Sequence, residues 1–353
     1  MTTVPANPFR PTFGAPPLVW SGRTEALTSY ESAISAANSP FRHLIISGNR
    51  GIGKTTLLYE LCDIARKHGW IVLEVTSAPG MLRELIESTI PAAIENLDPP
   101  TLASQLTKLS NLLQPHGTGI VISIDEIQDV DPLEIRTVAA AIQQLVGASR
   151  DVSLLVAGLE YGVDALLTNP GTTFLRRAKR YTLGPLTNDD SMSLLTQTAN
   201  QEGLEFTDDA ATYATALSYG YPYLLQFIGY LAFELAAGDN SGTQITRDHV
   251  EAVKERAISM MGQQIHAPEM RTLSPSELAF VKAASRVSDE TGSSSISDIA
   301  TELGKPTTSL SRVRGELIHR GVIEQSGHGT ISFSLPYLRE YLLQSGVKPG
   351  YLQ

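Results

Sequence analysis

The sequence predicts an α/β protein: a parallel sheet of five strands flanked by helices, then an all-α subdomain, then a winged helix-turn-helix domain. Three observations carry this. Five short runs rich in Ile, Val and Leu alternate with helical patterns between Leu18 and Leu186. Strand signals fade over residues 188–262, where helical patterns take over. The tail holds a short and a longer helical pattern on either side of a turn containing Gly304, followed by two short strand patterns around "SGHG". Apolar runs with little polar alternation are how strands covered on both faces of a parallel sheet read.

Composition sets the limits. The chain has 353 residues, 42% of them hydrophobic, enough for two or three domains of roughly 100–200 residues each. No apolar run approaches the ~18 residues needed to cross a bilayer, and "MTTVPANPFR" has neither a basic start nor an apolar signal core. A cytoplasmic protein with no membrane partner is expected. The single cysteine, Cys62, has no internal disulfide partner, and its spacing from Leu58, Leu61 and Ala65 marks a buried helix position. The seven histidines are scattered, against a His and Cys metal site. The formal charge of −10 repels nucleic acid at long range, so any DNA contact needs a local basic patch.

Residues 1–17 hold five prolines and no apolar periodicity, the pattern of an extended arm on the surface or on a neighbour. Residues 18–186 form the core, with strands at "RHLIISG", "WIVLEVT", "GIVISID", "VSLLVAG" and "RYTLGPL". Residues 187–262 read as helices whose starts carry Asn, Asp, Thr or Pro where caps and first turns want them. Residues 263–272 read as a loose linker, and 273–353 as the helix-turn-helix unit with its wing.

At the end of the first strand stands "GNRGIGKTT": Gly48, Asn49, Arg50, Gly51, Ile52, Gly53, Lys54, Thr55 and Thr56. Gly48, Gly53, Lys54 and Thr55 fit G-x-x-x-x-G-K-[ST], directly after a strand and at the mouth of a helix, the context that a phosphate-binding P-loop requires. A chance match would arise in about one chain in a hundred of this length. The glycines let backbone N–H groups turn in around a β-phosphate, helped by the positive end of the helix dipole. Lys54 would bridge the β- and γ-phosphates of ATP, and the Thr55 hydroxyl would ligate Mg²⁺. A second strand, "GIVISIDEIQDV", ends in Asp125 and Glu126. Behind a P-loop, the first carboxylate holds magnesium through water and the second orients and deprotonates the attacking water. The glutamate favours a hydrolytic ATPase over a phosphotransferase.

These motifs, with "WSGRTEAL" and "FLRRAKRYTLGPLTNDD", resemble AAA+ ATPases (P-loop NTPases of the ASCE division) of the initiator-like and archaeal-type clade, over roughly residues 10–345. The resemblance implies that Arg23 and Glu25 lie beside the adenine; read alone, "SGRTEAL" is a helix cap and first turn. It also implies that Arg176 or Arg177, Arg176 preferred, reaches a neighbouring subunit's ATP in an ATP-dependent homo-oligomer. A basic cluster such as "RRAKR" is otherwise a solvated face. Gly220 and Pro222 in "YGYPYLLQ" resemble the Gly-x-Pro of the STAND signalling ATPases, where it lies near the nucleotide; read alone, they start a helix. The strand "VSLLVAGLEYG" lacks the Asn, Ser or Thr that many relatives place near the γ-phosphate.

In the tail, Ile296, Ile299 and Leu303 are expected to face inward from the short helix, and Leu310, Val313 and Leu317 from the longer one. Thr308, Ser309 and Arg312, with Arg314, Arg320 and the wing-tip His328, are candidates for double-stranded DNA contacts. Lys305, Arg312, Arg314, Arg320 and Arg339 are matched by Asp298, Glu302, Glu316, Glu324 and Glu340. The electrostatic footprint is therefore weak, and a protein partner docked on the wing is the alternative. The expected function is an ATP-hydrolysing switch that couples nucleotide state to DNA or partner binding. The alternative is a STAND-like scaffold with slow or no hydrolysis.

Overall fold

Each of the five apolar runs forms a strand: β1 Leu44–Gly48, β2 Ile71–Val75, β3 Ile120–Ile124, β4 Val152–Gly158 and β5 Lys179–Leu183. The computed structural model describes residues 6–12, 15–36, 39–75, 77–94, 101–239, 243–289 and 292–345. The chain divides into two compact units. The first comprises Thr12–Gly48 and Ile52–Gly184; the second comprises the described parts of Met1–Pro11, Asn49–Gly51 and Pro185–Gln353.

In the first unit the strands make one sheet in the order β2-β3-β4-β1-β5. All neighbours are parallel, with Ile45 opposite Val156 and Ile122 opposite Leu154. The three central strands are buried at every position, whereas the edge strands β2 and β5 are exposed in part. This follows from the topology, since central parallel strands are covered by helices on both faces. The helices are α1 Thr24–Ser35, α2 Lys54–Lys67, α3 Met81–Glu84, α4 Ile90–Ala93, α5 Leu102–Leu113, α6 Pro132–Gly147 and α7 Glu160–Thr168. Cys62 is fully buried in α2, and burial pushes its thiol up to about 11. Because all five strands run the same way, Gly48, Ile124 and Gly158 end at one edge of the sheet, where open α/β sheets place their chemistry.

The second unit contains α8 Asn188–Asn200, α9 Asp208–Ser218, α10 Pro222–Gly238, α11 Arg247–Met261 and α12 Ala267–Arg271. Two short strands, β6 Glu205–Phe206 and β7 Gln244–Ile245, pair in parallel among them. Two-residue strands are too short to leave a periodic signal, which is why this stretch reads as purely helical. The expected linker at 263–272 is corrected: residues 247–271 are helical almost throughout, with a π turn at Gly262–His266 between α11 and α12. Proline inside an α-helix clashes with the carbonyl four residues earlier; here the π turn ends two residues before Pro268. The first unit repeats the device, with a π turn at Leu85–Thr89 between α3 and α4 and Pro91 two residues past its end.

The arm expectation is corrected as well. Phe9 is 2% exposed and meets Phe206 and Phe233 edge to face. Asn7 donates to the Tyr230 carbonyl at 2.9 Å, and the Arg10 N–H donates to Gln226 Oε1 at 2.9 Å. Gly229 makes room for the ring, because a Cβ there would sit 2.3 Å from Phe9 Cε1. Two phenylalanines among five prolines leave no periodicity, so composition alone reads this segment as surface.

The tail runs α13 Pro275–Val287, β8 Ser293–Ser295, α14 Ile296–Leu303, a 3₁₀ turn at Thr307–Leu310, α15 Ser311–His319, β9 Ile323–Gly327, β10 Thr330–Phe333 and α16 Leu338–Ser345. The strands form an antiparallel sheet in the order β8-β10-β9. Strand β8 is a run of serines with no apolar signal. Ile299, Leu310 and Leu317 are buried, while Ile296, Leu303 and Val313 are half-buried. Among the described residues, no helix is long and apolar enough to cross a membrane.

Candidate functional site

The loop after β1 turns on glycines. Gly48, Gly51 and Gly53 have φ of +147°, +73° and +94°, conformations that side chains disfavour. Gly48 also lies against β5, where a Cβ would come within 2.6 Å of the Leu183 carbonyl oxygen. Gly53 is the N-cap of α2 and supplies no side-chain cap, so the start of a 14-residue helix is left for another acceptor. Ile52, 1% exposed, anchors the loop in the core. Lys54 is 6% exposed, whereas Thr55 and Thr56 are half-buried.

At the end of β3, the Asp125 carboxylate accepts from the Thr55 hydroxyl and from the Glu126 N–H, the latter at 2.9 Å. Desolvation pushes its carboxyl above the ordinary aspartate range, partly offset by those bonds and by Lys54. Glu126 stands in the left-handed region at φ 49°, ψ 51°, which turns its side chain out of the strand direction. A hydroxyl and a desolvated carboxylate form an all-oxygen donor pair suited to a hard cation such as Mg²⁺. Thr55 and Asp125 would hold it. In the same unit, Arg23 is the N-cap residue of α1 and donates from Nη2 to the Gly184 carbonyl at 2.7 Å, and Glu25 pairs with Lys179 at 3.7 Å. Arg176 and Arg177 are exposed and form no ion pair among the described residues; Arg176 Nε donates to the Leu167 carbonyl at 2.8 Å.

Asn49, Arg50 and Gly51 group with the second unit. There Arg50 Nε meets Glu269 Oε2 at 2.6 Å, the Tyr221 hydroxyl donates to the Arg50 carbonyl, and Gly321 gives the Asn49 side chain room. Pro222 is the first residue of α10, and Gly220, at φ +68°, has no space for a Cβ against the Leu186 carbonyl. These two residues start a helix, as their spacing alone reads.

Of the tail candidates, Thr308, Ser309, Arg312 and His328 are exposed, and His328 lies in the β9–β10 turn. Arg312 Nε pairs with Glu316 at 2.8 Å on the same helix. Arg314 is half-buried, with its Nε buried and lacking a hydrogen bond among the described residues. Arg320 is corrected as a nucleic-acid candidate. Its guanidinium donates to the Thr272 carbonyl at 3.3 Å and meets Glu277 at 3.5 Å and Glu269 at 3.6 Å. Gln128 was not singled out from the sequence, although it stands two residues past Glu126. Its Nε2 donates to Glu126 Oε2 at 2.5 Å, and its Oε1 accepts from the Leu159 N–H at 3.0 Å. Glu269, which gathers two arginines, gave no signal because it falls in the expected linker.

The raised Asp125 has a signed consequence for stability. A carboxyl with a folded pKa above its unfolded one contributes stability fully below the unfolded value and loses it as pH rises through the folded value. In metal-free buffer, Asp125→Asn is therefore expected to be more stable than the wild type at neutral pH. The gain should vanish at pH values below the ordinary aspartate range. Urea unfolding at both pH values checks this; equal stability of the two proteins at neutral pH would contradict it.

Comparison with known proteins places this geometry. A family model described as mitochondrial ribosomal death-associated protein 3 matches residues 19–114, and one described as a domain of unknown function (DUF8462) matches residues 263–342. The replication factor C large subunit of Methanopyrus kandleri is 23% identical over 169 residues, 48% of this chain. The chain spans 31% of that relative's length. The Walker-type ATPase PABY2304 of Pyrococcus abyssi superimposes with a TM-score of 0.68 at 16% identity, covering 92% of this chain and 96% of the other. The ORC2 protein of Aeropyrum pernix, solved as ADPNP-ADP complexes, gives 0.67 at 14% identity over 95% and 97%. Cdc6p of Pyrobaculum aerophilum gives 0.52 at 15% identity over 96% and 98%. At these identities the likeness speaks to architecture, and on it the chain has the AAA+ P-loop ATPase fold.

Proposed function

We propose that the protein is an ATP-hydrolysing molecular switch whose tail, acting as a winged helix, binds double-stranded DNA. The observation that carries the reading is the Thr55 hydroxyl bonded to a desolvated Asp125, with Lys54 buried on the same loop and Glu126 next in sequence. The backbone of residues 48–53 and the start of α2 bind phosphate oxygens, and Lys54 neutralises their charge. When bound, Mg²⁺ would neutralise developing charge on the transferred phosphoryl group. Glu126 takes a proton from the attacking water. Arg23 contributes to the adenine side and Pro222 to the helical subdomain's response. The nucleotide complexes of the A. pernix ORC2 protein support nucleotide binding, and the name of the replication factor C relative favours DNA over a protein partner. A specific feature favours the slow, STAND-like alternative: Gly220 and Pro222 at the start of α10, with no arginine beside them.

Lys54→Ala is expected to abolish Mg-ATP binding, and Glu126→Gln to retain binding while stopping phosphate release, because the lysine acts in the ground state and the glutamate on water. Calorimetry and a phosphate assay read the two effects. Equal affinity of wild type and Lys54→Ala would remove the P-loop reading.

An unpaired arginine meeting a γ-phosphate across an interface makes assembly depend on nucleotide state. ATP is therefore expected to raise the scattering mass of the Glu126→Gln protein, and replacing Arg176 and Arg177 together should prevent the rise. A mass unchanged by ATP at high protein concentration counts against the assembly.

For the tail, freeing Arg312 from Glu316 costs little, since the pair is solvated. Arg312→Ala is expected to weaken binding to a preferred sequence by about tenfold or more and to flatten preference among sequences. A gel assay on genomic fragments with ATP and with ADP measures this. No retained fragment at low salt under either nucleotide would transfer the role to a protein partner.

A further inference from the structure

Strand β4 ends in Gly158 with no side chain to offer, yet a polar side chain does stand at that strand end. It comes from Gln128, on the turn after β3, and its amide is held at both ends. The Leu159 N–H can only donate, so the atom facing it is Oε1, at 3.0 Å. That fixes the amide nitrogen toward Glu126, whose Oε2 accepts at 2.5 Å. The two bonds therefore determine each other, and the amide has one orientation.

The surroundings are shaped to this side chain. A Cβ on Gly158 would lie 2.8 Å from Gln128 Oε1, and one on Gly162 would lie 2.6 Å from Gln128 Cβ and 2.9 Å from its Cα and N. Gly158 at the end of β4, which also makes room for Ile127, and Gly162 in the first turn of α7 thus leave the slot that Gln128 fills. Glu126 gains a fixed side-chain direction from this bond, because its backbone occupies the left-handed region at the turn after β3.

Resting on the hydrolytic reading above, we infer that Gln128 is the positioning residue for Glu126: it ties one carboxylate oxygen to the end of β4 and leaves the other to accept the proton of water. The polar side chain missing from the end of β4 is thereby supplied from the neighbouring strand's turn. A group fixed in this way loses little orientational freedom at the moment of reaction, and misplacement of a base by about an ångström costs up to a hundredfold in rate.

Two variants separate positioning from mere structural support. Gln128→Glu keeps an acceptor for the Leu159 N–H and fills the slot, but removes the donation to Glu126 and sets a like charge beside it. Gln128→Met fills the slot and makes neither bond. Steady-state ATP hydrolysis, Mg-ATP affinity and urea unfolding are measured for wild type, Lys54→Ala and both variants. The expected result is a kcat lowered about ten- to a hundredfold in both, with KM and Mg-ATP affinity within about twofold of wild type. If the Met variant does not fold, the Glu variant carries the test. A kcat within twofold of wild type in Gln128→Glu overturns the inference while leaving the ATPase reading intact, as does a rate loss matched by weakened Mg-ATP binding. Absence of turnover by the wild type despite Mg-ATP binding refutes the hydrolytic reading and this inference with it.

Discussion

The first unit is organised around opposite charges brought out of water at one edge of its sheet. Lys54 is nearly inaccessible, and Asp125 is desolvated enough that its attraction to Lys54 and its bonds to Thr55 and Glu126 do not restore an ordinary carboxyl. Buried ions require close compensation, and the raised Asp125 carboxyl shows how much desolvation still weighs at this edge. The opposite edge shows what completion looks like. Arg42, 6% exposed, meets Asp151 at 2.5 Å, donates to the Ala33 and Ala36 carbonyls, and lies over the Trp70 ring. One edge is closed by an ion pair and carbonyl contacts, and the other carries the glycine loop, Lys54 and Asp125.

Parallel topology explains why the two edges differ. Three central strands with no exposed position leave no place for polar chemistry along their length, so it gathers where the backbone turns. Gly48 must be glycine for two reasons at once, its φ and the closeness of the Leu183 carbonyl. Gly158 and Gly162 act in a similar way, since the absence of their side chains makes room for Gln128 from the turn after β3.

Much of this was legible in the sequence, and the failures have physical reasons. The five strands and the P-loop are local signals, namely β-branched runs and glycines at fixed offsets. The strand order is not, because β1 pairs with β4 and β5 across more than a hundred residues, and no local pattern records which run lies beside which. The stretch 263–272 read as a loose linker, but a π turn carries the helix on through it to Arg271. Serines at β8 carried no apolar signal, yet they pair with β10, and Ser294 Oγ donates to the Ala284 carbonyl at 2.9 Å. Arg320 looked like a surface cation on a helix pattern; only the fold brings Glu277 and Glu269 to it. Gln128 was in plain view, but what it holds depends on where β4 ends.

The discontinuity of the second unit bears on how the chain is made. Residues 12–184 lack only a three-residue insertion and can collapse while synthesis continues, whereas Asn7 bonds a residue 223 positions later. At roughly 5–20 residues per second, the Phe9 ring waits on the order of ten seconds or more for Phe206 and Phe233 to emerge. Loop-closure entropy grows only slowly with such a distance, so the delay is set by translation more than by thermodynamics. Arg50 waits about as long, since Glu269 lies 219 positions after it. The tip of the loop after β1 therefore acquires these contacts late, although it is synthesised early.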